Sequence, residues 1–419
     1  MTLNIPSGHS SWQHLPFPAH VFIFSCIAYL FGRRLVNLVN AVLGIEVENI
    51  PCRSSSGLDQ AEKGSLKRPE GMSDDEVFQL EKRAFFSKTW LYVTHRSRFD
   101  KAGDYHAFDV AGISFFVVLG KDMRLRAFHN VCRHRAYTVV RKSCGTSTRF
   151  SCKYHGWQYD DAGRLVKAPK FDESPGFNPE ENGLWEVKLI VTREGLVFVN
   201  FDASTMNLPF NNVKSHVEMG SRSWIDGMDV TCAANWKDLA NEFSSQAQWS
   251  QNPFGWFSGF RRPKMARLLG PLSLVKELDQ DLWCTLTLLP HTSQEVVVRC
   301  DIYAKEGDAV PTNTVQKWKW LLERELTQLS KSDETPESTG SYFAYQCGGR
   351  TIDLFAILAQ HQRSEKMAKK KLQPAIRVTG TAEIDTEAEA LCDILDGVSD
   401  SPSLEKFSRK SSFPQLLEW

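Results

Sequence analysis

The chain has 419 residues, and 42% of them are hydrophobic, which is enough to bury the cores of two domains. Its 50 lysines and arginines balance its 50 aspartates and glutamates, so the charge gives no indication of a nucleic-acid partner. The 10 cysteines are spread along the chain without the dense spacing of a secreted disulfide scaffold. This usage predicts an intracellular, reducing compartment.

The N-terminal region contains an apolar segment, residues 20–45, that Arg33 and Arg34 interrupt. Its first apolar run, residues 20–32, is shorter than the ~20 residues needed to cross a bilayer. No basic leader or small-residue cleavage site accompanies it, which disfavours a signal peptide. Two alternatives remain: association with a membrane as an anchor or interfacial helix, or a helix packed on the protein or on a partner. The polar, serine- and glycine-rich residues 53–72 are predicted to be a linker, so the first segment is residues 1–72.

Globular structure is predicted to begin at residue 73. Ser73 and Glu76 have the spacing of a capping box ahead of an amphipathic helix. Short apolar runs at residues 114–119 and 196–201, separated by glycine and aspartate turns, predict a small antiparallel β domain. We place this domain at residues 73–205.

Two short motifs inside this domain, Cys132-x-His134 and Cys152-x-x-His155, have the composition of a metal site. Two thiolates and two imidazoles are the ligands of a Rieske [2Fe–2S] cluster, with the cysteines on one iron and the histidines on the other. Small and aromatic residues that follow the second motif, among them Trp157 and Tyr159, would keep such a cluster dry. A tetrahedral zinc site is the alternative, although zinc fingers usually pair like ligands.

The second half of the chain has a mixed pattern. Residues 281–289 and 295–303 are predicted to be adjacent long strands, and residues 316–329 and 353–371 have helical periodicity. Residues 330–341 are predicted to be a loop, and the basic run 366–371 to be a solvated helix face. We therefore predict an α+β domain at residues 206–400, followed by a tail at residues 401–419.

These features together resemble the α subunit of Rieske-type non-haem iron oxygenases, the ring-hydroxylating and choline monooxygenase-like family. The match covers residues 85–202 and resumes at Asn235-Trp236-Lys237 and at residues 299–303. The resemblance implies a Rieske domain followed by a helix-grip-like (START-like) catalytic domain. Respiratory Rieske proteins have an extra, disulfide-bonded cysteine in each loop, and Tyr137 and Tyr154 take these places here, which favours the oxygenase or ferredoxin branch.

The resemblance also implies a function and partners. A separate NAD(P)H-dependent reductase would pass electrons to the [2Fe–2S] cluster, and these would cross a subunit boundary, in a homotrimer by analogy, to a mononuclear Fe(II). No Gly-x-Gly-x-x-Gly fingerprint is present, so the reductase is expected to be another chain. The expected activity is that of a monooxygenase or hydroxylase acting on a small, largely apolar molecule.

The sequence departs from the family at the mononuclear iron. Relatives have a Tyr-His-x₄-His element after Asn-Trp-Lys, whereas this chain has no histidine between His216 and His291. The catalytic domain is therefore interpreted as degenerate or truncated. The aromatic stretch at residues 249–260 is predicted to be core in preference to a substrate pocket.

Three explanations of this departure stay open. They are a rebuilt iron site, an electron-transfer or regulatory protein that has lost oxygen chemistry, and an incomplete isoform or gene model. The residues that a rebuilt site could use are His216, His291 or His361 with Glu242 or Asp353. The structural alternatives are a strand-end turn for His291 and a polar helix face for His361.

Overall fold

The computed structural model describes residues 71–171, 177–204, 222–250, 265–279, 282–330, 343–347 and 350–375. These residues belong to one compact unit, 66–419. The apolar segment 20–45, His216, most of the aromatic stretch 249–260 and residues 331–341 of the predicted loop lie outside the described residues. Within the described part, no helix has the length and apolar character that crossing a membrane requires. The predicted domain boundaries stay predictions.

The described part begins with helix α1 (Asp74–Glu81). The predicted capping box is confirmed: the Ser73 backbone N–H donates to the Glu76 carboxylate at 2.8 Å, and the Glu76 N–H donates to Ser73 Oγ at 3.3 Å. The helix continues as a π-helical turn, Lys82–Phe86, which Ser87 closes by donating its N–H to the Lys82 carbonyl.

The first half of the described chain is mostly β structure. Its strands are β1 (Leu91–His95), β2 (Asp104–Val110), β3 (Ile113–Leu119), β4 (Leu125–His129), β5 (Cys144–Thr146), β6 (Arg149–Ser151), β7 (Gln158–Asp160), β8 (Leu165–Lys167), β9 (Glu186–Val191) and β10 (Leu196–Asn200). A seven-stranded antiparallel sheet has the order β1-β10-β9-β4-β3-β2-β5, and β6, β7 and β8 form a small second sheet. The predicted strands at residues 114–119 and 196–201 are therefore confirmed.

The second half combines a sheet with helices. Its elements are β11 (Arg222–Cys232), α2 (Trp236–Ser250), β12 (Ala266–Gly270), β13 (Ser273–Glu277), β14 (Leu282–Pro290), β15 (Val296–Lys305), α3 (Thr312–Leu329), β16 (Ala344–Cys347), β17 (Arg350–Asp353) and α4 (Leu354–Ala368). A five-stranded antiparallel sheet has the order β11-β15-β14-β13-β12. Helix α2 packs on β12, β13 and β14, and α3 packs on β11. The predicted α+β class and the predicted pairing of β14 with β15 are confirmed.

Helix α4 is shorter than predicted at its C-terminal end. Lys369 adopts a left-handed conformation, with φ of 51°, which ends the helix after Ala368. Lys369, Lys370 and Lys371 are exposed, as expected for a solvated basic run.

Strand β3 is apolar on both faces because both faces are covered. Phe115 and Val117 belong to a core that also contains Leu286 and Ile302 of the five-stranded sheet. The alternate residues of β3, with Phe116 among them, pack in a second core that contains Cys132 and Cys152. The strand therefore separates the general core of the protein from the predicted metal site.

A buried ion pair attaches α1 to α2. Glu81 accepts the indole N–H of Trp236 at 2.8 Å and pairs with the Lys237 ammonium at 2.7 Å. Glu81 and Lys237 are only 1% and 6% exposed, and Phe85 stacks on Trp236 with centroids 5.6 Å apart. The Asn-Trp-Lys element thus holds the leading helix, because both of its long side chains donate to the same carboxylate.

Substitution of Glu81 tests this attachment. Glu81→Gln leaves the Lys237 ammonium buried without a counter-charge, and we expect the free energy of unfolding to fall by about 3 kcal/mol. Urea denaturation followed by tryptophan fluorescence measures the loss. The matched control is Glu323→Gln on the exposed face of α3, which should change stability by less than about 0.5 kcal/mol. Equal losses in the two variants would contradict the assigned role.

A second buried network connects the two sheets. Arg98, in the 3₁₀ turn after β1, pairs with the buried Asp301 of β15 at 3.2 Å, and the Trp224 indole N–H donates to Asp301 at 2.9 Å. His106 Nδ1 lies 3.4 Å from an Arg98 guanidinium nitrogen, and His106 Nε2 lies 3.3 Å from the Arg98 carbonyl oxygen. A guanidinium can only donate and a carbonyl can only accept, so His106 is neutral with its proton on Nε2.

This network predicts a pH dependence of stability. Burial, with Arg98 next, lowers the pKa of His106 from 6.5 to about 4. Between these two pH values His106 is protonated in the unfolded chain and neutral in the folded chain. The contribution of neutral His106 to the free energy of unfolding is therefore fully present above pH 6.5 and is lost as the pH falls towards 4.

Urea denaturation at two pH values measures this effect. Between pH values of about 7 and 5, the wild type should lose roughly 1 kcal/mol more stability than His106→Gln. The matched control, His291→Gln at an exposed turn position, should follow the wild type. If the wild type and His106→Gln lose equal stability between the two pH values, His106 does not cause the pH dependence of stability.

Candidate metal centre

The first predicted metal-binding loop follows strand β4. The Cys132 N–H donates to the Tyr137 carbonyl at 2.8 Å, and the Ala136 N–H donates back to the Cys132 carbonyl at 3.0 Å. Ala136 has a φ of 53°, a left-handed conformation that lets the loop reverse within five residues. His134 lies at the tip of this turn.

The second loop, between β6 and β7, has the same backbone pattern. The Cys152 N–H donates to the Trp157 carbonyl at 2.8 Å, and the Gly156 N–H donates to the Cys152 carbonyl at 3.0 Å. Gly156 has a φ of 75° at the position that corresponds to Ala136. The two loops therefore present their cysteines in the same local geometry, while His134 follows its cysteine by two residues and His155 by three.

The two thiols lie together in the interior. Cys132 and Cys152 are 2% and 3% exposed, and their side chains are hydrogen-bonded to each other. The hydrogen bond from Cys132 lowers the pKa of Cys152. The same contact, followed by burial, raises the pKa of Cys132. One of the two sulfurs is thus readily available as the thiolate that iron requires.

The two imidazoles lie together nearer to the surface. The rings of His134 and His155 are 4.6 Å apart, and both residues are half-buried. Trp157 stacks on His134 with ring centroids 5.0 Å apart, and the edge of Phe171 packs on the same imidazole. The thiol pair therefore faces the core and the imidazole pair faces outward.

The four predicted ligands lie as a cysteine pair and a histidine pair. A cysteine pair beside a histidine pair is the donor set of a [2Fe–2S] cluster with unlike ligands on its two irons. The same four side chains would also suit a tetrahedral zinc ion. The roles of Cys132, His134, Cys152 and His155 as cluster ligands stay a prediction.

Tyr159 contacts a predicted cluster ligand, and the sequence did not specify this contact. Its hydroxyl lies 3.2 Å from Cys132 Sγ and accepts the Arg133 N–H at 3.0 Å. Tyr159 is the buried member of the short strand β7, in which Gln158 and Asp160 are half-buried. The alternation of the strand indicated an inward tyrosine, but only the contact between the two loops shows which thiol it meets.

The candidate ligands of a rebuilt iron site are not brought together. Asp353 caps α4 by accepting the Phe355 N–H at 2.8 Å, and Glu242 accepts from Gln246 on its own helix at 3.2 Å. His291 is an exposed turn residue, as expected for a strand end.

His361 differs from its predicted position. The expectation of a polar helix face is wrong, since His361 is buried, with its Nδ1 3.4 Å from Lys88 Nζ and its Nε2 3.2 Å from a Glu365 carboxylate oxygen. Burial, with Lys88 next, lowers the pKa of His361. The contact between α4 and the residues that follow the π-helical turn causes this burial, and helical periodicity alone does not reveal it.

The backbone of the first loop yields a stability prediction. A left-handed alanine costs about 1–2 kcal/mol relative to glycine, and part of the gain from glycine is lost to the entropy of the unfolded chain. Ala136→Gly should therefore raise the free energy of unfolding by roughly 0.5–1 kcal/mol. Urea denaturation of the cluster-free protein measures it. The control, Ala162→Gly, lacks a positive φ and should be neutral or destabilising. A loss of stability in Ala136→Gly would contradict the strain argument.

Comparisons with known proteins agree with this site. A family model described as a Rieske [2Fe-2S] domain matches residues 89–180. The biphenyl dioxygenase subunit alpha of Metapseudomonas furukawaii is 32% identical over 208 residues, which cover 45% of this chain and 44% of that protein. The 2-aminobenzenesulfonate 2,3-dioxygenase subunit alpha of Alcaligenes sp is 38% identical over 138 residues, 32% of this chain and 35% of that protein. The chain thus spans less than half the length of these curated relatives.

A solved structure has a similar fold. The crystal structure of the quaternary ammonium Rieske monooxygenase CntA in complex with L-carnitine gives a TM-score of 0.52 at 19% sequence identity. The likeness covers 70% of this chain and 92% of that chain. At this level of identity the likeness concerns the fold.

Proposed function

Because this chain contains a Rieske [2Fe–2S] domain and is homologous to the alpha subunits of Rieske dioxygenases, we propose that it is an iron–sulfur oxidoreductase. The observation that carries the proposal is the pair of matched loops, which places two thiols inside and two imidazoles outside. A cluster bound there would supply one-electron transfer at a higher potential than an all-cysteine cluster, since neutral imidazoles replace two thiolates.

The residues around the site each have a defined part in this function. Cys132 and Cys152 would bind one iron, and His134 and His155 the other. Trp157 holds the His134 ring by stacking, which fixes its orientation. The Tyr159 hydroxyl lies against the Cys132 sulfur, and a hydrogen bond to a ligand sulfur raises the reduction potential.

The proposal also covers the reaction in which the chain uses the electron. We propose that the chain acts as an oxygenase, more specifically a monooxygenase or hydroxylase, on a small and largely apolar organic molecule. An apolar substrate is supported by the likeness to a biphenyl dioxygenase. We further propose that a separate NAD(P)H-dependent reductase supplies the electrons and that the chain assembles as a homotrimer.

A second candidate function is electron transfer without a mononuclear iron. The resemblance places the iron histidines near Trp249 and Phe254, and this chain has no histidine at either position. The full sequence has no histidine from residue 217 to residue 290. This observation favours a protein that holds the cluster and passes its electron to another chain.

We propose a reducing compartment for either function. The cysteines that the structure describes are free thiols, and both cluster cysteines are needed in this form.

Metal analysis distinguishes the two candidates. After anaerobic reconstitution of the full chain, about three irons with two sulfides per chain would support the oxygenase, and about two irons with two sulfides the electron carrier. His134→Ala and His155→Ala should each abolish the visible and electron paramagnetic resonance spectra of the cluster. His291→Ala, an exposed turn variant, should leave them intact. Survival of the spectra in either loop variant would refute the assigned ligands, and bound zinc without a reducible chromophore would refute both functions.

A further inference from the structure

The two imidazoles of the metal site are supported in different ways. His134 is stacked on Trp157, which belongs to the opposite loop and is only 2% exposed. His155 is supported at the surface: its ring centroid lies 4.0 Å from that of Tyr154, and Tyr154 is 38% exposed. Exposed side chains change rotamer more readily than buried ones. The orientation of His155 therefore depends on what holds the Tyr154 ring in place.

Tyr137 of the first loop packs on Tyr154 of the second loop. The two ring centroids are 5.3 Å apart, and the ring planes make an angle of 32°. Aromatic pairs attract each other at centroid separations of about 4.5–7 Å. Tyr137 is itself 37% exposed, so this pair needs a further contact to keep it in one arrangement.

Arg141 supplies that contact. Its guanidinium lies 5.2 Å from the centroid of the Tyr137 ring and donates to the Tyr137 hydroxyl. Arg141 directly follows Val140, whose N–H donates to the Asn130 side-chain oxygen at 2.7 Å and whose carbonyl accepts from the Asn130 amide at 2.7 Å. Asn130 is 3% exposed. The backbone that carries Arg141 is thus anchored in the interior, although its charged end is at the surface.

These contacts run without a gap from the interior to an imidazole. We call Arg141, Tyr137 and Tyr154 the tyrosine column. Its inner end is fixed by Asn130, and its outer end lies against His155. Because the column starts beside the first loop and ends on a predicted ligand of the second, it couples the position of one loop to that of the other.

We propose that Tyr137 and Arg141 are positioning residues for His155 and that they act through Tyr154. The proposal rests on the proposed function, because it concerns how the same site retains its outer iron. An imidazole can serve as a ligand only while a ring nitrogen points at the metal, and contacts beyond the ligand fix that orientation. The tyrosine column limits the rotation of the His155 ring and so slows the loss of whatever this ring helps to hold.

The backbone of the loops makes this role separable from loop closure. In the first loop the Cys132 N–H donates to the Tyr137 carbonyl at 2.8 Å, and in the second the Cys152 N–H donates to the Trp157 carbonyl at 2.8 Å. Neither bond involves a tyrosine ring. Truncation of Tyr137 or Tyr154 therefore removes the column and leaves the hydrogen bonds that shape the two turns.

Chelator challenge of the reconstituted full chain tests the proposal. The decay of the visible absorbance in excess iron chelator measures the rate of cluster loss. Tyr137→Ala should raise this rate at least about fivefold, because an aromatic pair and an exposed cation–π pair are each worth a factor of roughly two to ten. Tyr137→Phe keeps the ring and should stay within about twofold of the wild type. Arg141→Gln should give an intermediate rate.

The matched control is Trp320→Ala on α3. Trp320 is 57% exposed, and the Arg324 guanidinium lies 5.5 Å from the centroid of its ring, so this variant also removes an exposed ring and its contact with an arginine four residues on. Its rate of cluster loss should stay within about twofold of the wild type. Equal acceleration in Tyr137→Ala and Trp320→Ala would show a general loss of stability and would contradict the proposal.

A double variant tests whether Tyr137 acts through Tyr154. Tyr154→Ala alone should accelerate cluster loss at least as much as Tyr137→Ala. Because both substitutions interrupt the same column, Tyr137→Ala/Tyr154→Ala should lose the cluster within about twofold of the rate of Tyr154→Ala. Effects that multiply in the double variant would show that Tyr137 acts by another route, and the proposal would be wrong.

Pulsed electron paramagnetic resonance of the reduced protein separates positioning from shielding. The coupling of each imidazole nitrogen to the unpaired electron depends on the orientation of its ring. Tyr137→Ala should change the coupling of one imidazole and preserve that of the other, and Tyr137→Phe should restore the wild-type spectrum. Unchanged couplings together with faster cluster loss would mean that the rings only exclude water, which would overturn a positioning role.

Nuclear magnetic resonance of the cluster-free chain makes the test independent of the cluster. With ¹³C-labelled histidine, His155→Gln and His134→Gln identify the two ring signals. Tyr137→Ala should move the His155 signals further than the His134 signals, and equal or absent shifts would overturn the proposal. Tyr137→Leu replaces Tyr137→Ala if that variant fails to fold. Absence of a cluster in the wild type would refute the proposed function, while these shifts still decide whether the tyrosine column holds His155.

Discussion

The contact between the thiols of Cys132 and Cys152 is the constraint on which the rest of the site depends. The two cysteines come from different loops, one after β4 of the large sheet and one between β6 and β7 of the small sheet. Their sulfurs can meet only if these sheets pack face to face, with β3 between the site and the main core. The fold of the first half is thus what converts two short motifs into one donor set.

The same packing gives the site an inner, buried side and an outer, partly exposed side. Buried cysteines face the core, where Tyr159 meets the Cys132 sulfur, and the half-buried imidazoles face outward. A low dielectric favours short hydrogen bonds to sulfur on the inner side. The outer side presents the two imidazoles together with the exposed rings of Tyr137 and Tyr154.

Buried charges hold the two halves of the described chain against each other. Glu81 joins α1 to α2 through Trp236 and Lys237, and Asp301 joins β15 to the turn after β1 through Arg98. Each carboxylate satisfies two donors that are distant from it in sequence. Loss of one partner would leave a buried charge uncompensated, which is why these contacts constrain the relative position of elements that hydrophobic packing alone would allow to slide.

Local patterns determined much of this structure. Ser73 and Glu76 predicted the start of α1, the apolar runs predicted β3, β10, β14 and β15, and the spacing of Cys132, His134, Cys152 and His155 predicted the donor set. Each of these depends on residues that are close in sequence, where backbone geometry and side-chain periodicity are decided. Tertiary structure alone decided which residues meet: Glu81 with Lys237, Tyr159 with Cys132, and the burial of His361 by the contact of α4 with Lys88. These contacts join residues that are distant in sequence, so no local spacing specifies them, and they form when the two sheets and their helices exclude water from a common core.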